Sequence, residues 1–193
     1  MLMLIGGLVL FFAAHLIPTL PELRTRLIGM TGSRPYSGLF ALASLVALVL
    51  VVWGYGHMQG LGRGNPQLWV PPPWTRHVTM LLMVPALILL VAANVPSRIR
   101  TAVRHPMLTA VMLWAFGHLL ANGDLASVLL FGSFLAYAVY DMVSVTQRAA
   151  LGPLGTAQGG AVQDVAAIAG GLALYALLLL WGHQKLTGVP LLP

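Results

Sequence analysis

Six stretches of this chain are each close to twenty residues long, apolar throughout and almost free of charge. They are residues 2–20, 37–55, 77–95, 103–121, 124–145 and 162–183. A helix needs about 20 residues to cross about 30 Å of hydrocarbon. A soluble fold of 193 residues has too little interior to hide this much apolar surface. The composition agrees: 7% of residues are charged and the mean hydropathy is +0.88, whereas a soluble domain carries about 25% charged residues. Lipid is therefore the solvent. In lipid every backbone polar group needs an internal partner, so the runs must be helices rather than open strands. The expected fold is an all-α, polytopic bundle of six transmembrane helices forming a single domain over 1–193. Pro85 is expected to kink the third helix. Asn122-Gly123 is a turn signal that makes a tight antiparallel hairpin of the fourth and fifth.

The connections orient the bundle. Arg24, Arg26, Arg34, Arg98, Arg100, Arg104 and Arg148 fall on one side, and Arg63, Arg76 and Lys185 on the other. Positive charge favours the cytoplasmic face, which puts both termini outside. Cations spread over short loops do not form the exposed basic stripe of a nucleic-acid binder, so the net charge of +6 is read as orientation. The first twenty residues lack a basic leader and a small-residue cleavage site, and are read as a retained span. The segment between Gly56 and Arg76 carries Trp69, a Pro71-Pro72-Pro73 run and Trp74, suited to the outer interface. Residues 149–161 are rich in Gly and Ala and are expected to be mobile. Gly6-Gly7 and Gly170-Gly171 suit close helix packing.

There is no cysteine, which excludes disulfides, thiolate metal sites and cysteine nucleophiles. The six histidines sort by depth. His15 lies near the inner end of the first helix and His105 at the inner start of the fourth, so the two share a level. His118 lies roughly 20 Å further along at 1.5 Å per residue, in the outer half with Asn122 and Asp124. His57, His77 and His183 lie at outer ends and read as interfacial. Two imidazoles at one depth on different helices are suited to one metal. The acids are Glu22, Asp124, Asp141 and Asp164, and no Glu-x-x-His pair exists for a di-iron carboxylate site. Haem fits better, because its macrocycle supplies four nitrogens and axial imidazoles are its common ligands. Arg34, Arg98, Arg100 and Arg104 share the side of His15 and His105, where they either pair with haem propionates or simply orient the chain. The plainer alternatives are that His15 packs between helices, that His105-Pro106 marks a helix start, and that His118, Asn122 and Asp124 cap a hairpin.

Several motifs carry a family resemblance. Arg104-His105-Pro106, Trp114, Gly117-His118-Leu119-Leu120-Ala121-Asn122-Gly123-Asp124-Leu125 and Phe131-Gly132 resemble the signature of the NnrU family. So do Phe12-Ala13-Ala14-His15, Arg24, Leu27 and Tyr36-Ser37-Gly38-Leu39-Phe40. That family is similar to 15-cis-zeta-carotene isomerase, a haem b membrane enzyme. The resemblance implies haem b ligated by His15 and His105, with His118 as the histidine that exchanges for one of them. It also implies a bacterial inner membrane, so that the termini placed outside by the charges are periplasmic; Arg34 and Arg104 are the arginines chosen, by their side of the membrane, as propionate partners. The implied activity is a redox-gated cis–trans isomerisation of a small hydrophobic polyene. The same opened haem would also suit nitric oxide as a ligand. The alternative is a non-catalytic membrane factor of nitrite and nitric oxide metabolism. Arg-His-Pro at a helix start is also distantly similar to isoprenylcysteine carboxyl methyltransferases, but no acidic pair follows the last helices to match theirs.

Overall fold

The computed structural model describes residues 1–60, 64–152 and 154–192; Arg63, counted among the outer cations, lies outside them. Among the described residues the chain is helical, and extended pairing is limited to an isolated antiparallel bridge between Gln67 and Asp124. The helices are α1 (Leu2–Leu16, followed by a 3-10 turn Ile17–Thr19), α2 (Pro21–Thr31), α3 (Ser33–Gln59), α4 (Thr75–Ala92), α5 (Arg98–Val103), α6 (Pro106–Ala121), α7 (Leu125–Gln147) and α8 (Ala161–Leu177). The last continues through a π turn, Leu178–Gly182, into α9 (His183–Thr187).

Five segments are long and apolar enough to cross a membrane: Leu2–Thr19, Ser33–Gln59, Thr75–Ala92, Leu125–Gln147 and Ala161–Thr187. Their outward faces are large and apolar. Val9 is 63% exposed, Trp53 69% and Leu180 71%, which is sustainable in lipid and not in water. The chain is therefore a membrane protein. The fourth apolar run forms a helix of 16 residues, about 24 Å long at 1.5 Å per residue. It starts at Pro106 rather than at 103 because Arg104 adopts φ +62° and Pro106 takes the first helical position.

Two helices stand where loops were expected. Pro21 and Glu22 open α2, and Gly32 closes it at φ +86°; proline at the start and an acid in the first turn favour helix. Helix α5 is capped by Ser97, whose Oγ accepts from the Arg100 N–H at 3.2 Å. The α4 helix runs on through Pro85.

The residues fall into two compact units, Met1–Trp69 with Gly123–Ser133, and Val70–Asn122 with Phe134–Pro193. In the first, α1 packs along α3. A methyl built on Gly7 would lie 2.8 Å from the Val51 nitrogen, and one on Gly54 would strike the backbone at Leu4. The pairings of 7 with 51 and 4 with 54 make the helices antiparallel. Small residues allow this approach, and in lipid such packing, rather than escape from water, holds helices together. A methyl added at Gly6 would meet nothing within 4 Å, so only Gly7 of the expected Gly6-Gly7 pair serves the contact. Gly54 was not anticipated.

In the second unit, α4 packs against both α6 and α8. Gly171 brings α8 onto Ile88, where a methyl would lie 2.5 Å from its Cα, and Gly170 faces Val91. The Thr79 hydroxyl donates to the Gly117 carbonyl at 2.6 Å across the α4–α6 contact. At one end, Asp164 of α8 accepts from the Arg98 N–H at 2.7 Å and its Nε at 2.5 Å, joining α8 to the start of α5. At the same end Arg100, 8% exposed, donates to the carbonyls of Gly155 (2.7 Å) and Ala157 (3.0 Å). Arg100 thereby holds two carbonyls of the stretch whose Gly and Ala content pointed to mobility. Replacing Ser97 with Ala should cost about 1 kcal/mol, the usual worth of a cap. Thermal unfolding in detergent reads this out, and an unchanged midpoint would show that α5 stands without its cap.

Candidate functional site

His15 sits at the end of α1 with its ring fixed from two sides. Its Nδ1 donates to the Phe11 carbonyl at 2.8 Å. The imidazole stacks on Phe11 at 3.9 Å between centroids and meets Phe40 of α3 at 5.1 Å. A proton on Nδ1 puts the lone pair on Nε2, the arrangement commonly seen in metal-binding histidine. One turn before Phe40 on α3, the Tyr36 hydroxyl is buried with no hydrogen-bond partner among the described residues. Arg34 lies in the first turn of α3, exposed, rather than in a loop.

In the second unit His118 repeats the local arrangement of His15. Its Nδ1 donates to the Trp114 carbonyl at 2.8 Å, and its ring lies 5.4 Å from the Trp114 ring. Phe11-His15 and Trp114-His118 are both an aromatic followed four residues later by histidine, which places the rings on one helical face. That spacing is visible in the sequence, but reading the histidines by depth alone passes over it. His105 is built differently. It is the N-cap of α6, with φ −123°, and its carbonyl receives the Thr109 N–H at 3.1 Å. No hydrogen bond to its ring is found among the described residues. His105 and His118 stand at opposite ends of one unbroken helix, about 20 Å apart along its axis.

Asp124 belongs to a different constellation, in the first unit. Its carboxylate accepts from the Ser127 hydroxyl (2.6 Å) and N–H (3.0 Å), Asn65 Nδ2 (2.9 Å) and Gln59 Nε2 (3.1 Å). Around it, Leu68 N–H donates to the Gly123 carbonyl at 2.7 Å, Leu125 N–H to Pro66 at 3.0 Å, and Ala126 N–H to Asn65 Oδ1 at 2.8 Å. The Tyr55 and Ser127 hydroxyls lie 3.1 Å apart. Burial pushes the Asp124 carboxyl up, but the donors outweigh it and hold it below the usual carboxylate range. The carboxylate thus caps α7 and holds Gln59 and Asn65 at its start, while backbone bonds hold Pro66, Leu68 and Trp69 there. Gly123 is required there, because a side chain would strike the Trp69 carbonyl. The expected hydrogen-bonded cap is present, but its partners are Asn65, Gln59 and Ser127; Asn122 separately donates to the His118 carbonyl at 2.8 Å.

Arg104 adopts φ +62°, a conformation that costs a residue with a side chain about 1–3 kcal/mol and persists only where the surroundings impose it. It borders an open cleft of about 460 Å³ together with Arg100, Thr101, His105, Val145 and Thr146. Among the described residues no acid lines this cleft. The remaining histidines make no metal cluster: among the described residues no three of His, Cys, Asp and Glu come together. His183 Nδ1 donates to the Val189 carbonyl at 2.8 Å.

Fold and side chains together define a helical membrane protein in which two imidazoles are oriented by their own helices. The family follows from the sequence match: the chain belongs to the NnrU family, whose model, described as NnrU protein, matches residues 3–191. No curated protein matches the chain, and no solved structure does.

Proposed function

We propose that this chain is a haem b protein of the bacterial plasma membrane that crosses it six times, with both termini periplasmic. The carrying observation is His15: its Nδ1 is committed to the Phe11 carbonyl, which presents Nε2 as the ligating atom. The Tyr36 hydroxyl, buried and without a hydrogen-bond partner among the described residues, lies on the same side of α3 as Phe40 and fits a polar group supplied by a cofactor. With no cluster of three protein ligands among the described residues, a macrocycle would have to complete the coordination. Haem would supply a redox-active iron. His15 would hold the iron, with His105 or His118 as the second ligand. Arg34 and Arg104 are the guanidinium candidates for the propionates.

His118 has the same Nδ1 anchor as His15, which favours it as the second ligand in place of His105. Exchange between them on one iron would require α6 to slide by most of its length, so one of the two serves. The loop contacts support six crossings. Within one unit the connection between α4 and α6 meets the one between α7 and α8 through Arg100, and Arg76 meets the carbonyls of Pro190 and Leu191. Within the other, residues 65–67 meet Asp124. These are the pairings that alternate crossing produces, and on this reading α6 crosses as well.

On this reading the reaction class is redox-gated cis–trans isomerisation of a hydrophobic polyene. Family membership favours a second reading, a membrane factor of nitrite and nitric oxide metabolism. Absorption spectra of the detergent-purified protein, oxidised and then reduced, test the haem. A Soret band is expected, lost or shifted in His15→Ala and in only one of His105→Ala and His118→Ala. A colourless protein that takes up no added haem ends the proposal. Nitrite and nitric oxide reduction in cells carrying the His15→Ala chain separates the two readings, since a factor independent of haem would leave both unchanged.

A further inference from the structure

The cleft at the α5–α6 corner holds more positive charge than its own walls can balance. Arg100 is nearly buried, and its guanidinium is met by two neutral carbonyls, of Gly155 and Ala157. Carbonyls satisfy the N–H groups without supplying a counter-charge, and an uncompensated buried charge is unfavourable. Arg104 adds a second cation to the same cleft, on a strained backbone, while the Thr101 and Thr146 hydroxyls at its wall donate to the Ser97 and Met142 carbonyls. Two of the chain's acids are held by other arginines, Asp164 by Arg98 and Asp141 by Arg148. The remaining lining includes apolar Val145 and Leu151. At about 460 Å³ the cleft is within the range of small-ligand sites.

We infer that this cleft binds a phosphate group, with Arg100 and Arg104 as its charged floor. Guanidinium forks match phosphate oxygens in pairs, which makes phosphate the best-fitting oxyanion. The backbone strain at Arg104 is then the means by which its side chain is turned to the cleft instead of continuing α5. Arg104 serves this site, and the propionate role falls to Arg34. His105 lines the same cleft, so the inference rests on the reading in which His118, and not His105, is the second haem ligand.

The phosphate comes either from an anionic phospholipid headgroup or from a free phosphate. Native mass spectrometry of the full chain in neutral detergent, titrated with phosphatidylglycerol, phosphatidylcholine or inorganic phosphate, separates them. The wild-type chain is expected to bind phosphatidylglycerol at least about tenfold more tightly than Arg104→Gln does, from loss of one charge-assisted pair. Arg76→Gln, outside the cleft, should bind as the wild type does. If inorganic phosphate binds in its place with the same dependence on Arg104, the ligand is a free phosphate and the site stands. Arg104→Gly removes the side chain and the strain together, so it should unfold no earlier than the wild type while losing binding, which a merely structural arginine would not do. Equal binding of phosphatidylglycerol and phosphate by the wild type, Arg104→Gln and Arg104→Gly overturns the inference. Haem content, read from the same samples by absorbance, keeps failure of this site distinct from failure of the haem proposal.

Discussion

Gly171→Val is expected to lower the thermal stability of the protein in detergent by about 1–3 kcal/mol or more, the range for overpacking a closed contact. A Cβ at this position would lie 2.5 Å from the Cα of Ile88 and 2.7 Å from its nitrogen. These are backbone atoms, so no side chain can swing away and α8 must move off α4. In lipid that separation also loses dispersion contacts that no hydrophobic term replaces. Gly6→Ala is the matched control. It has open space around the new methyl and should be neutral or stabilise by up to about 1 kcal/mol through helix propensity. Equal midpoints for Gly171→Val and the wild type would mean that α4 and α8 are not in close contact.

Asp124→Ala should cost about 1–3 kcal/mol, because it leaves the donors of Ser127, Asn65 and Gln59 without their acceptor. Asp124→Asn should recover part of this, since one amide oxygen still accepts. The pH dependence has a definite sign. The carboxyl is held below its ordinary value in the folded chain. Its contribution is therefore fully present above the unfolded value of about 3.9 and is lost as pH falls through the lower folded value. The difference in midpoint between the wild type and Asp124→Asn should be flat from neutral pH down to about 4 and shrink below it. A difference that does not change in acid would show that the carboxylate is not what these donors hold.

Legibility differs among the candidate residues for physical reasons. Five of the spans could be located to within a few residues because apolar run length is a one-dimensional property. The fourth run began later than expected because the turn at Arg104 is a backbone event, although Pro106 was a visible cue. The tautomers of His15 and His118 were readable in principle from the aromatic four residues earlier. The partners of Asp124 were not: Asn65 and Gln59 lie about sixty positions away, and no local pattern joins them. Gly54 went unnoticed beside Gly56 because whether a glycine faces a neighbouring backbone depends on which helix covers it.

What the amino-acid order settled alone is the solvent of the protein, its helical class, its family and the short list of groups able to do chemistry. Hydropathy and residue type carry that information without reference to neighbours. The fold decided which members of that list meet: Asp124 with residues from the α3 end, Arg100 with the carbonyls before α8, Arg104 with Arg100 in one cleft. Those encounters depend on helix contacts set by small residues such as Gly54 and Gly171, where a separation of one methyl group decides whether two backbones touch.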